Sequence, residues 1–161
     1  LQFVKAGYNL VILRTFSKIY GLAGLRIGYG IAPGHIAKLV HRVREPFNVN
    51  SLAQIGALAA LDDHEHLKAS LELVTSGKAF IYKELTRLGL KFIPTEANFI
   101  FFDIGVDSTA VIEELLNQGI ILRQGSVFNC PTWIRVTIGT PEENRRFIHA
   151  LEKSLQESGV L

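Results

Sequence analysis

The chain has 161 residues, 48% of them hydrophobic and 20% charged, which is enough apolar material to build a buried core. Its formal net charge of +2, with no lysine- or arginine-rich run, argues against nucleic acid as a partner. No apolar stretch approaches the roughly 20 residues that cross a bilayer. A single cysteine, Cys130, suits a reducing compartment. We therefore expect a cytoplasmic protein that binds neither nucleic acid nor a membrane.

The first half of the chain combines short strands with helices. An aliphatic run is typical of a buried strand, and Pro33 closes a second strand because proline disfavours helix at the residue before it. Ser51 is predicted to cap a helix whose Ala/Leu-rich body should be buried. The expected elements are strands at 10–14 and 27–32 and helices at 34–43, 52–61 and 64–88.

The second half predicts a β-β-α-β-β-α order. Gly89 is well placed to end the preceding helix, and Thr140-Pro141-Glu142-Glu143 combines a cap, a first-position proline and acidic residues, which together predict a helix start. The expected elements are strands at 91–93, 97–102, 119–123 and 133–138 and helices at 108–117 and 140–156.

Lys18 and Arg26 lie in an apolar, glycine-rich run at 15–30. Lys18 follows the first predicted strand, at the end where open α/β sheets gather their ligands. Its amine can form a reversible Schiff base with an aldehyde cofactor, and the Ser17 hydroxyl and Arg26 guanidinium can bind a phosphate. The simpler interpretation is a surface lysine and arginine beside a buried strand.

Ser17-Lys18 followed by Gly24-Leu25-Arg26-Ile27-Gly28 resembles the cofactor-lysine motif of fold-type I pyridoxal-phosphate aminotransferases. Further segments resemble the histidinol-phosphate aminotransferases in the same order along the chain, at 44–54, 94–100, 123–125 and 134–144. The resemblance implies an α/β fold with three parts: the end of the large domain, with strands of a mainly parallel sheet, at 1–62, a connecting helix at 63–88 and the small α+β C-terminal domain at 89–161.

The resemblance also implies a function. Such enzymes exchange an amino group between the pair glutamate/2-oxoglutarate and the pair histidinol phosphate/imidazole acetol phosphate, use pyridoxal 5'-phosphate and act as homodimers. Lys18 would be the catalytic residue and would bind the cofactor together with Ser17 and Arg26. Arg135 would bind the anionic end of the substrate, and Arg123 would help to bind its phosphate. From strand alternation alone, the favoured interpretation places Arg135 on a solvent-exposed face.

The chain contains no methionine, so we expect a fragment or a processed piece of a longer protein. The family's aspartate for the pyridine nitrogen, its phosphate loop and its stacking aromatic would lie upstream of Leu1, so the 161 residues alone should be inactive. Other interpretations are an aromatic aminotransferase, a threonine-phosphate decarboxylase, or a non-catalytic module that retains the fold.

His64 and His66 stand among acidic residues, which makes a metal site conceivable. Two residues that are two positions apart on a helix point in different directions, however. A solvated helix start is therefore the favoured interpretation, and no metal ligand is predicted.

Overall fold

The computed structural model describes all residues from Leu1 to Leu161 and divides them into two compact units, Leu1–Ser70 and Leu71–Leu161. None of its helices combines the length and the apolar composition that crossing a bilayer requires. The elements are α1 (Gln2–Lys5), β1 (Ile12–Thr15), β2 (Gly28–Ile31), α2 (Gly34–Val43), α3 (Ser51–Asp62), α4 (His64–Arg87), β3 (Lys91–Ile93), β4 (Phe99–Asp103), α5 (Thr109–Asn117), β5 (Arg123–Gln124), β6 (Trp133–Thr137) and α6 (Pro141–Glu157).

The two strands of the first unit pair with each other, antiparallel, with Thr15 opposite Gly28. The expectation of a mainly parallel sheet is therefore wrong for the strands that this chain contains. A side chain at position 28 would not fit this ribbon, because its Cβ would lie 2.6 Å from the Arg14 carbonyl oxygen. Glycine at this position thus permits the close approach of β2 to β1.

The expected burial of the first strand and of α3 is wrong. Leu13 is 74% exposed, and α3 buries only Ala53 and Ala57, one turn apart. Beside these alanines a Cβ at Gly56 would lie 3.1 Å from Leu25, so the small-residue face of α3 packs closely on the 3-10 turn Ala23–Leu25. The larger apolar side chains of α3 lie on its other faces and are exposed, at Leu52, Ile55, Leu58 and Leu61.

The cap of α3 is Asn50 rather than the predicted Ser51. The Asn50 Oδ1 accepts a hydrogen bond of 2.8 Å from the Ala53 N–H. Gln54 donates from its side chain to the Val49 carbonyl, at 3.0 Å, which ties the first turn back to the preceding loop. Asn50 has the extended backbone that a cap requires, and an asparagine amide oxygen caps as well as a serine hydroxyl.

The second unit confirms the predicted β-β-α-β-β-α order. Its four strands form one antiparallel sheet in the order β3-β4-β6-β5. The inner face carries alternate residues of β4 and β6, and these belong to one hydrophobic core with α4, α5 and α6. The most deeply buried core residues are Ile81, Leu85, Ile100, Phe102, Leu115, Ile134, Leu151 and Leu155.

The starts of β5 and α6 show how far local sequence signals predict element boundaries. Gly119 has a φ of +76° and follows α5, and the chain pairs with β6 only from Arg123, so β5 is much shorter than the predicted 119–123 strand. The predicted start of α6 is confirmed. Thr140 Oγ1 accepts from the Glu143 N–H, and the Glu143 carboxylate accepts from the Thr140 N–H, which is a complete capping box.

Candidate active site

Lys18 lies on a tight turn that follows β1. Its carbonyl accepts a hydrogen bond of 2.9 Å from the N–H of Gly21, which has a φ of +68°. Phe16 anchors the turn, because its side chain is only 4% exposed and its ring centroid lies 4.9 Å from that of Tyr20. The Lys18 side chain is exposed and its Nζ has no hydrogen bond or ion pair, so the amine is available to a ligand.

An open cleft of about 480 Å³ lies beside this turn in the first unit. Ser17 and Arg26 both line it, so the structure brings together two of the three residues that the sequence assigns to cofactor binding. Lys18 neighbours Ser17 in the chain but is not part of the cleft wall. Thr15 and Asn48 also line the cleft, and the sequence interpretation missed both of them.

Two groups that line the cleft can donate hydrogen bonds to an anion, the Arg26 guanidinium and the Ser17 hydroxyl. The Arg26 guanidinium donates to the Ala23 carbonyl at 2.7 Å and has no carboxylate within 4.0 Å, so its charge is not neutralised. The backbone N–H of the half-buried Ser17 donates to the Thr15 hydroxyl at 3.0 Å. The Ser17 hydroxyl itself has no hydrogen-bond partner. A guanidinium without a carboxylate partner and a hydroxyl without a hydrogen-bond partner, both on one cleft wall, have the chemistry of an anion-binding set.

Arg123 and Arg135 face each other in the second unit, on the neighbouring strands β5 and β6. Like charges directly opposite in a sheet are destabilising. The Nε of Arg135 is buried without any hydrogen-bond partner, and its guanidinium lies over the Phe99 ring, 4.9 Å from the centroid. An unpaired buried donor also costs stability. Both costs would be offset by an anion bound to this face of the sheet.

Aromatic rings surround Arg135 on the same outer face. Phe101 lies opposite Arg135 in the β4–β6 pairing, and its ring packs against those of Trp133, at 4.9 Å, and Phe128, at 6.1 Å. The sequence interpretation did not assign Phe99 or Phe101 to the site. The period-2 alternation that places both on one strand face was visible, but the pairing of β4 with β6 was not.

The carboxyl groups with a lowered pKa lie outside both sets of arginines. Hydrogen bonds from Thr109 lower the pKa of Asp107 at the start of α5, and the Thr140 N–H lowers the pKa of Glu143. Arg87 lowers the pKa of Glu152 by a two-point hydrogen bond, 2.8 Å for each contact. The carboxylates whose pKa is lowered are thus engaged in helix starts and an interhelical ion pair, while the site arginines have no carboxylate partner.

Comparison with known proteins matches residues 1–151 to the family Aminotransferase class I and II. A histidinol-phosphate aminotransferase of Moorella thermoacetica is 54% identical over 156 residues, which cover 96% of this chain and 40% of that protein. The histidinol-phosphate aminotransferase 2 of Carboxydothermus hydrogenoformans is 50% identical, over 97% of this chain and 43% of that protein. The chain thus spans about two fifths of the length of these curated relatives.

Two solved structures have a similar fold. The histidinol-phosphate aminotransferase of Sinorhizobium meliloti in complex with pyridoxal-5'-phosphate matches with a TM-score of 0.83 and 29% identity, over 92% of this chain and 42% of that one. The L-threonine-O-3-phosphate decarboxylase of Porphyromonas gingivalis matches with a TM-score of 0.82 and 26% identity, over 96% and 49%. The family match extends over nearly the whole sequence, and the chain therefore belongs to the class I and II aminotransferases.

Proposed function

We propose that this chain is part of a histidinol-phosphate aminotransferase that uses pyridoxal 5'-phosphate. The reaction would exchange an amino group between glutamate and 2-oxoglutarate on one side and histidinol phosphate and imidazole acetol phosphate on the other. About half of the residues are identical to those of relatives with that name. The structural observation that supports it best is Arg135, a half-buried guanidinium with an unpartnered Nε.

The residues present suit the cofactor's phosphate. Ser17 and Arg26 line one cleft, and neither the Arg26 charge nor the Ser17 hydroxyl is neutralised or bonded by another side chain. These two residues would hold the phosphate, and Lys18, on the adjoining turn, would present its amine to the aldehyde. When bound, pyridoxal phosphate supplies an aldehyde that condenses reversibly with amines and a pyridine ring that accepts electron density.

Lys18 would act as the acid–base residue. Its Nζ has no competing partner in the structure, so it can take a proton from the substrate carbon and return it at a second position. Gly21 and Phe16 fix the backbone of the turn, which leaves the movement to the lysine side chain.

Arg135 would bind the anionic group of each substrate, the carboxylate of glutamate or the phosphate of histidinol phosphate. Its planar guanidinium grips a carboxylate or a phosphate through two parallel hydrogen bonds, and this explains how one site accepts glutamate and a phosphorylated amine. Arg123 is exposed and lies opposite Arg135. It would add a second positive charge, which favours the phosphorylated substrate.

The proposal extends to the organisation of the complete enzyme. Residues 1–62 would belong to its large, cofactor-binding domain, 63–88 to a connecting helix and 89–161 to its small domain. The enzyme would be a cytoplasmic homodimer. Because the chain spans two fifths of its relatives, the activity is proposed for the longer polypeptide, and the 161 residues alone are expected to be inactive.

A second candidate is a threonine-phosphate decarboxylase, which the likeness to the Porphyromonas gingivalis enzyme favours. Its substrate also carries both a carboxylate and a phosphate, so an arginine pair would suit it equally. Turnover with histidinol phosphate as amino donor, compared with release of carbon dioxide from threonine phosphate, separates the two.

The test uses a hybrid enzyme in which this chain replaces the matching part of the Moorella thermoacetica relative. Borohydride reduction with pyridoxal phosphate, followed by peptide mapping, should label Lys18. Arg135→Ala should lower the specificity constant for both glutamate and histidinol phosphate by roughly 10- to 150-fold, since a hydrogen bond to a charged group contributes about 1.5–3 kcal/mol. Arg135→Lys should remain impaired, because it keeps the charge without the fork.

Arg145 provides the matched control, since it is an exposed arginine of α6 with no hydrogen bond or ion pair. Arg145→Ala should leave both specificity constants unchanged. Labelling of a lysine other than Lys18 would refute its role. Unchanged glutamate turnover in Arg135→Ala would refute the shared anion grip.

A further inference from the structure

We propose that His66 is a positioning residue that fixes the turn bearing Lys18. The inference rests on the proposed function, because it matters for activity only if Lys18 is the cofactor lysine. His66 lies in the first turn of α4, and its Nε2 is 3.1 Å from the Ile19 carbonyl oxygen, 47 residues earlier in the chain. Ile19 is the residue directly after Lys18.

The Ile19 carbonyl is free of backbone hydrogen bonds and can accept this contact. Within it, the Lys18 carbonyl accepts from the Gly21 N–H, and the Phe16 carbonyl accepts from the Leu22 N–H at 3.0 Å. The Ile19 carbonyl accepts from no backbone N–H. The imidazole of His66 is therefore its hydrogen-bond partner, and in the Nε2–H tautomer the ring donates to it.

The surroundings of His66 hold the ring in place. Asp63 Oδ1 accepts from the His66 N–H at 2.9 Å and caps the helix turn that carries the ring. On the other side, a Cβ at Gly21 would lie 3.9 Å from His66 Nε2, so the turn rests against the imidazole edge. Ser70 Oγ, one helical turn later, lies 3.4 Å from the same nitrogen.

The consequence concerns the backbone of Lys18. Two features fix the turn from within: the buried ring of Phe16 and the hydrogen bond from the Gly21 N–H to the Lys18 carbonyl. His66 adds a hydrogen bond to the turn from another element, α4. Catalytic groups must be held to about half an ångström by the residues around them. Loss of this anchor should loosen the turn and weaken cofactor retention, with little effect on how the substrate anion is bound.

This role adds a long-range contact to the favoured interpretation of the histidine pair as a solvated helix start. No group of three or more histidine, cysteine, aspartate or glutamate side chains is arranged to hold a metal ion. His66 is exposed, as a solvated helix start predicts, but it also forms a long-range hydrogen bond. His64, on the same helix turn, is exposed and forms no hydrogen bond, so it supplies a control.

The experiment compares His66→Ala, His66→Gln and His64→Ala in the same hybrid enzyme. We expect His66→Ala to raise the dissociation constant for pyridoxal phosphate about 3- to 10-fold, the effect of one neutral hydrogen bond, with the KM for glutamate unchanged. Hydrogen exchange of the backbone amides at 19–22 should accelerate by a similar factor. His66→Gln should restore both values, because its amide nitrogen reaches the carbonyl, and His64→Ala should match the parent.

Equal values for His66→Ala and His64→Ala would overturn the proposal, as would equal impairment in His66→Ala and His66→Gln. If the parent hybrid fails to label Lys18, the proposed function fails by itself. The exchange rates at 19–22 then still decide whether His66 holds the turn.

Discussion

The two units of this chain bury their apolar residues very differently. The second unit has a continuous core of aliphatic and aromatic side chains between one sheet face and three helices. The first unit buries only Phe16, Ala53 and Ala57, while Leu13, Phe47 and Leu52 are each more than 70% exposed. Burial of apolar surface is the dominant favourable contribution to folding. The second unit therefore carries its own stability, and the first depends on additional burial for its own.

The largest effect should come from separating the units. A fragment of residues 71–161 should fold cooperatively, and a fragment of residues 1–70 should not, since three buried apolar side chains cannot offset the entropy of ordering the chain. Circular dichroism with urea titration and limited proteolysis would measure this. A protease-resistant 1–70 fragment beside a degraded 71–161 fragment would reverse the comparison.

A second fragment with a later start tests how much α4 contributes to the stability of the second unit. A fragment of residues 89–161 lacks Ile81 and Leu85, both fully buried in the core of the second unit. Each such loss should cost about 2–5 kcal/mol. This shorter fragment should therefore unfold at a much lower urea concentration than 71–161, and equal midpoints would show that α4 contributes little.

Core truncation should have the next largest effect. Leu151→Ala should lower the free energy of unfolding of the 71–161 fragment by about 2–5 kcal/mol, because the side chain is fully buried and leaves a cavity. The matched change in the first unit is Leu58→Ala, at a side chain that is 67% exposed. In the 161-residue chain it should stay within about 0.5 kcal/mol. A large cost at Leu58 would mean that the first unit has a core of its own.

Helix caps should give the smallest difference. Thr140→Ala removes the side-chain half of the α6 capping box and should cost about 1 kcal/mol, whereas Ser51→Ala should be nearly neutral because Asn50 caps α3. Chemical denaturation of the two variants measures both values. Equal costs would show that Ser51 takes part in the α3 cap.

The pH dependence provides a second readout of the α6 cap. The Thr140 N–H lowers the pKa of Glu143 below its ordinary value of 4.5, so the folded state binds this proton less tightly than the unfolded state. The contribution is complete above pH 4.5 and is lost as the pH falls through the lowered pKa. Glu143→Gln should therefore flatten the dependence of stability on pH below about 4.5, and an unchanged slope would contradict the assignment.

Local signals in the sequence predicted much of the fold. The capping box of α6 involves only four consecutive residues. The β-β-α-β-β-α order follows from hydrophobic periodicity and from the glycine, proline and cap residues that end each element. The motif residues Ser17 and Arg26 do line one cleft. Their roles, and those of Lys18, Arg123 and Arg135, remain predictions.

Contacts between residues that are far apart in the chain could not be predicted from the sequence. The sequence alone does not reveal that β4 pairs with β6, and so does not place Phe99 beneath Arg135. The bond between His66 and Ile19 joins residues 47 positions apart, for which no spacing rule exists. The prediction of a buried first strand is wrong for a similar reason. An apolar run becomes a buried strand only where another part of the structure covers it, and the run itself does not reveal whether such a cover exists.

The facing arginines of β5 and β6 carry a consequence for laboratory evolution. Their repulsion and the unpartnered Nε of Arg135 make this face of the sheet less stable than a neutral pair would. Variants selected only for resistance to heat should therefore lose Arg123 or Arg135 early, and variants selected for turnover should keep both. The position at which the two selections diverge would mark, without any assay of binding, where the molecule gives up stability for recognition.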